Sequence, residues 1–224
     1  MRLKLLLTAA ALAATACQVP ANAAENAVMA PAAKRVAHES GGLKTAIFSG
    51  GCFWGVEAVF SHVKGVKSAV SGYDGGDVKN PSYEEVSSGT TGHRESVKVT
   101  YDPSVVRYDQ LLRVFFSVVA DPTLKDQQGP DHGTQYNAAL VPLSQEQRDV
   151  AAAYLAQMKA SGVWRAPIVT GIAPVKPFYP AEAYHQDFAY HHPTQGYIAY
   201  WDLPKVDALK RLFPALYSPT FQLD

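Results

Sequence analysis

The stretch 48-FSGGCFWGVEAVF-60 decides how this chain is read. Leading into it, residues 43–49 (LKTAIFS) have the β-branched and aromatic make-up of a strand. Gly50 and Gly51 then let the backbone turn. Beyond them Val56, Val59, Phe60 and Val63 recur at helical spacing until Gly65 ends the pattern. The stretch therefore predicts a strand, a tight turn and a helix over 52–63, with Cys52 in its first turn. Unpaired amide N–H groups and the positive end of the helix dipole meet at such a position, and both favour a thiolate, the reactive form of cysteine.

Working outward, residues 66–73 (VKSAVSGY) read as a strand broken by the DGGD at 74–77. Residues 94–102 (RESVKVTYD) alternate polar and apolar, as a strand with one buried face does. A helix is predicted over 110–120, with Asp109 as its cap and Asp121-Pro122 as its end, and a further strand over 136–143. The order β-α-β-β-α-β predicts an α+β, ferredoxin-like two-layer core. A helix over 144–160 follows, with Ser144 and Gln147 placed for a capping box, and then a strand within 166–175. From Lys176 onward prolines and aromatics dominate, which predicts ordered coil and short helical turns wrapped over the core. No internal repeat or domain boundary interrupts this body, and residues 215–224 read as a tail.

The ends and the composition narrow the function classes. Arg2 and Lys4 precede an apolar run over 5–16, which is the pattern of an export signal and too short to span a bilayer. Two processing sites fit: Ala21-Asn22-Ala23, giving a signal peptide over 1–23, or a lipoprotein site at Ala14-Thr15-Ala16 before Cys17. Leucine is usual where Ala14 stands. Residues 24–42 lack apolar periodicity and read as a flexible leader. The chain has 20 basic and 20 acidic residues, or 18 and 20 once Arg2 and Lys4 are removed, so no basic surplus points to nucleic acid. Membrane association is expected only through a lipid on Cys17, and a monomer is expected.

The chain has two cysteines, Cys17 and Cys52, and the first is either cleaved away or acylated. Exported domains usually pair their cysteines. Cys52 is left alone, as an inert packing residue or as a reagent.

The residues around it carry a resemblance. GCFWG (51–55), PSYEEVSSGTTGHRESVKVTYDP (81–103), GPDHGTQYNAAL (129–140) and FYPAEAYHQDF (178–188) resemble, in content and order, the motifs of the peptide methionine sulfoxide reductase A family. The resemblance runs over about residues 44–200 and makes 43–214 a catalytic domain. It implies reduction of methionine S-sulfoxide in proteins, and of free methionine sulfoxide, as repair of oxidative damage. Cys52 matches the family's nucleophile and Glu95 its acid. Tyr83 and Tyr136 match two tyrosines that hydrogen-bond the sulfoxide oxygen. Phe53 and Trp54 would line a pocket for the ε-methyl group, Asp131 would anchor the substrate, and His185 would support a buried hydrogen bond.

Elementary chemistry asks for the same parts. A sulfoxide has an electrophilic sulfur and an oxygen that leaves poorly. Reduction needs a nucleophile, an acid for the oxygen and an apolar seat for the methyl group. Phenols donate while staying neutral at pH 7, and a buried glutamate stays protonated.

The chain also departs from the pattern. The tail lacks the one or two cysteines that often reduce the sulfenic acid in relatives. Ser87 stands where many relatives have a further cysteine, and Asn137 where arginine is usual. The implied enzyme is a single-cysteine variant with no bound cofactor and no metal. Its Cys52 sulfenic acid would be reduced by an external thiol, thioredoxin-like, glutaredoxin-like or glutathione. Three other readings compete: a cysteine hydrolase using His93 or His132, a metal site at His185, His191 and His192, and a non-catalytic module binding oxidised peptides.

Overall fold

The structure, a computed structural model, describes residues 27–224. The expected signal peptide and Cys17 lie outside the described residues. The strands are β1 (Lys44–Ser49), β2 (Val66–Asp74), β3 (Arg94–Tyr101), β4 (Gln127–Gln128), β5 (Asp131–His132), β6 (Ala139–Val141), β7 (Gly171–Ile172) and β8 (Tyr179–Pro180). The helices are α1 (Phe53–Ser61), α2 (Tyr83–Ser87), α3 (Tyr108–Val114), α4 (Gln145–Ala160), α5 (Phe188–His191) and α6 (Leu203–Leu212).

Six strands form one sheet in the order β7-β6-β1-β3-β2-β8. Its centre, β6-β1-β3-β2, is antiparallel throughout, which is the ferredoxin-like split βαβ arrangement predicted from the order of elements. Phe48 on β1 shows how the second layer seats. Its ring lies 4.7 Å from Phe60 of α1, 6.0 Å from Tyr108 of α3 and 5.7 Å from Phe115, so both helices close over one face. On β3, Val97, Val99 and Tyr101 are fully buried, as the alternation requires.

Local sequence explains most boundaries, and several expectations are corrected. The helix expected over 110–120 begins at Tyr108, behind Arg107 rather than behind Asp109. Asp109 instead accepts from the Ala37 amide and from the Arg107 guanidinium. From Phe115 to Val119 the helix widens into a π turn, and these two side chains press on Gly50. Ser144 caps α4 by accepting from the Gln147 amide, but the Gln147 side chain accepts from Leu143, one residue before the cap. Of the strand expected within 166–175 only β7 pairs, parallel to β6. The C-terminal wrap is more regular than expected, because α6 runs for ten residues.

Residues 27–42 do not trail free as a flexible leader. Ala30 and Ala37 are buried, and the amides of Val28 and Ala30 donate to Ser117. Arg113 donates to the Ala30 carbonyl, Tyr154 to the Pro31 carbonyl, and the His38 amide to Glu146. This segment straps α3, its π turn and α4 together. Among the described residues no helix is long and apolar enough to cross a membrane.

Candidate active site

Cys52 is the N-cap of α1, where β1 hands over to the helix. Gly51 just before it has φ +91°, and a Cβ there would lie 2.6 Å from the Gln128 Cβ, so only glycine fits this turn. Strand pairing sets the acid. Glu95 stands at the start of β3 opposite Tyr73, is 2 % exposed, and accepts from the Phe53 amide at 2.9 Å. The nucleophile's neighbour in sequence thus binds the acid directly. Arg94 turns the other way, to Asp74 at 2.7 Å, and among the described residues no lysine or arginine forms an ion pair with Glu95.

The electrostatics correct one expectation. The helix start was expected to hold Cys52 as thiolate. The Trp54 amide does pull its pKa down, but burial above all, with the neighbouring acids Asp202 and Asp131 and with Glu95 once it ionises, outweighs it and raises the thiol well above its ordinary 9.0. Cys52 keeps some surface access but rests as a thiol. Glu95 is pushed from 4.5 to about 8, first by burial, against the Phe53 hydrogen bond. The resting pair is therefore thiol and carboxylic acid at neutral pH.

Tyr83 opens α2, and Ser82 with Glu85 forms a reciprocal capping box that fixes this turn. Its amide donates to Glu182, which also accepts from the Tyr73 hydroxyl at 2.8 Å. Tyr136 closes the 3-10 turn Thr134–Tyr136. Burial raises the pKa of both phenols, with Glu95 the next cause for each, and both also sense Cys52. The structure therefore brings the two tyrosines to the nucleophile and the acid.

Phe53 is 1 % exposed and packs on Tyr73 and His185, while Trp54 stays half-buried and stacks on Phe188 at 3.9 Å. Trp54 Nε1–H donates to His185 Nδ1 at 3.1 Å, a part-buried hydrogen bond where a buried one was expected of that histidine. Asp131 accepts from the Tyr197 hydroxyl. Asn137 clamps Asp126, accepting from its amide at 2.7 Å and donating to its carboxylate at 2.6 Å. His93 is tied into the loop before α2, accepting from the Gly76 amide and donating to the Val78 carbonyl. His132 is exposed.

Two site residues escaped the sequence reading. Tyr197 stands edge-on to Trp54, and its phenol is pushed up first by burial and then by its coupling to Cys52. Asp202 is buried over the first turn of α1, so close that a Cβ on Gly55 would meet its Oδ1 at 2.2 Å. Neither has a local signal: Tyr197 is one of twelve tyrosines, and Asp202 precedes the Leu203-Pro204 helix start like any ordinary cap.

What the arrangement can do is reduce an electrophilic oxide: one thiol, one protonated carboxyl, two neutral phenols and an aromatic wall. The comparisons agree. The peptide methionine sulfoxide reductase profile matches residues 44–215. The peptide methionine sulfoxide reductase MsrA 2 of Mesorhizobium japonicum is 56 % identical over 177 residues, 79 % of this chain and 91 % of that one. Methionine sulfoxide reductase A of Corynebacterium diphtheriae superposes with TM-score 0.58 at 33 % identity, covering 70 % of this chain and 78 % of that one. Mxr1 of Saccharomyces cerevisiae in reduced form does so with TM-score 0.61 at 30 % identity, covering 72 % and 92 %. By sequence and by fold, this chain belongs to the peptide methionine sulfoxide reductase family.

Proposed function

We propose that this chain reduces the S epimer of methionine sulfoxide in oxidised proteins, and free methionine sulfoxide, with Cys52 as nucleophile and Glu95 as acid. The single observation behind this is the hydrogen bond of the Phe53 amide to the buried Glu95, whose carboxyl burial pushes up to about 8, beside a lone thiol at the same helix start.

The methyl group sits against Trp54, with Phe53 packed beneath, and the oxygen accepts from Tyr83 and Tyr136. Asp131, held by Tyr197, anchors polar groups of the substrate. As the Cys52 sulfur bonds to the sulfoxide sulfur, Glu95 passes its proton to the oxygen and takes up the proton of the thiol. The net transfer moves one proton from sulfur to oxygen, so a thiol that rests protonated suits the step. The S–O bond of the substrate then breaks as its hydroxyl passes to the Cys52 sulfur, the bond between the two sulfurs breaks with its electron pair going to methionine, and Cys52 is left as sulfenic acid. A first external thiol forms a mixed disulfide with Cys52 and releases water. A second restores the thiol and leaves as an external disulfide. Cys52 is the free cysteine of the described residues, which supports an external donor of the thioredoxin, glutaredoxin or glutathione class.

The N-terminal pattern of residues 1–23 supports export, with the periplasm as the place of action; protein recovered there should begin near Ala24, or at an acylated Cys17. The catalytic reading is tested with each pure epimer of a methionine-sulfoxide peptide and a dithiol reductant. Consumption of the S form alone is expected. Consumption of the R form alone overturns it.

A further inference from the structure

A second cluster of acids lies further along α1. One carboxylate oxygen from each of Glu57, Asp187 and Asp224 lies within 4.8 Å of the other two. Glu57 is 0 % exposed and Asp187 8 %, whereas Asp224 opens to solvent. Their hydrogen bonds are incomplete. Glu57 Oε1 accepts from the Ser71 hydroxyl, Asp224 Oδ1 from the Ala69 amide and Asp187 Oδ2 from the Asp224 amide. Glu57 Oε2 and Asp187 Oδ1, both on side chains more than nine-tenths buried, have no donor. Among the described residues no lysine or arginine forms an ion pair with any of the three. The nearby His191 opposes, in part, the upward push of burial on Asp187.

Burial first, and then the neighbouring Asp187 and Asp224, push Glu57 up to about 8, so a proton and a cation compete for this site, and its orphaned oxygens are costly to leave buried with neither. An all-oxygen donor set with one solvent-facing member suits a hard divalent cation that keeps water in its remaining positions. Calcium bound at about 2.4 Å can bridge oxygens up to about 4.8 Å apart, and it tolerates irregular geometry better than magnesium. We propose that Glu57, Asp187 and Asp224 form a calcium-class cation site. The site joins three segments: the catalytic helix α1, the left-handed residue before α5, and the tail. Asp187 is followed directly by Phe188, the ring stacked on Trp54, so an ion here steadies the wall of the reduction site without touching the reaction.

The test is titration of chelator-treated full-length protein with calcium chloride in about 0.1 M potassium chloride, read by calorimetry and thermal unfolding. One ion per chain is expected, with Kd about 10⁻⁴–10⁻³ M, the range of extracellular calcium modules. At ten times Kd, Tm should rise by about 4 °C, and magnesium should bind at least about tenfold more weakly. Glu57→Gln should weaken binding at least about tenfold. Asp224→Asn should do the same, and because that side chain is exposed the variant keeps its fold, checked by circular dichroism. Absence of saturable heat and of any Tm shift up to about 10 mM calcium overturns the proposal. So does unchanged affinity in Asp224→Asn, or an ion-free wild type that Glu57→Gln stabilises, since a proton rather than a cation would then relieve the repulsion.

Discussion

At the scale of single residues the site works through suppressed charge. Burial keeps Glu95 protonated to about pH 8, and the same burial with three nearby acids keeps Cys52 a thiol. Glu95→Gln should lower kcat/KM by about 10²–10⁴-fold, the usual worth of a positioned acid, measured by methionine formation at saturating reductant. In the wild type kcat/KM should fall as pH rises through about 8, where Glu95 loses its proton. Stability carries the same signature. The folded value of about 8 lies above the ordinary 4.5, so the folded state holds more protons between them and stability declines as pH rises across that window. Urea unfolding of Glu95→Gln should therefore show a shallower decline, the remainder coming from Glu57, which is also pushed up to about 8, and a protein more stable than wild type above pH 8. Tyr83→Phe and Tyr136→Phe should each cost about 10-fold to 10²-fold in kcat with little change in KM, because their donation strengthens as charge grows on oxygen. Cys52, Glu95 and the two tyrosines could be singled out in the sequence because each falls within a contiguous motif. Tyr197 and Asp202 were not, since they reach the site only through the chain's return over α1.

At the scale of elements, α1 is the hub. All of its residues except Trp54 are buried, between the sheet and the C-terminal wrap. That burial on all sides explains why its apolar spacing was readable but its partners were not. The β-α-β-β-α-β order followed from period-two and period-3.6 patterns, which report one buried face each. Shorter pieces followed other rules. The Ser82–Glu85 box announces α2, yet five residues are too few to show periodicity. The π turn at Phe115–Val119 lies where Phe115 and Val119 pack close to Gly50, a long-range contact that no local pattern records. Gly55→Ala tests how tightly the hub is packed. Its Cβ would stand 2.2 Å from Asp202 Oδ1, so the carboxylate or the helix start must move. The variant should lose about 1–3 kcal/mol of stability by urea unfolding and at least about tenfold in activity.

At the scale of the whole molecule, the segment before β1 belongs to the fold although its composition reads as tether. Alanines and a proline carry no periodicity, but their backbone groups are met one by one by Ser117, Asp109, Arg113, Tyr154 and Glu146. Deleting residues 27–42 takes the Ala37 amide away from a largely buried Asp109 and removes the buried Ala30 and Ala37 from the core, uncovering the surface they pack on. Stability should fall by about 3 kcal/mol or more in urea, while the S-epimer preference of the folded fraction stays unchanged. The account rests above all on one sulfur doing the chemistry alone. The most direct measurement is a single turnover with S-sulfoxide peptide and no reductant, followed by mass spectrometry with a dione trap for sulfenic acid. It should yield one methionine per chain and one trapped adduct, at Cys52. A disulfide within the chain, or methionine formed by Cys52→Ser, would contradict it.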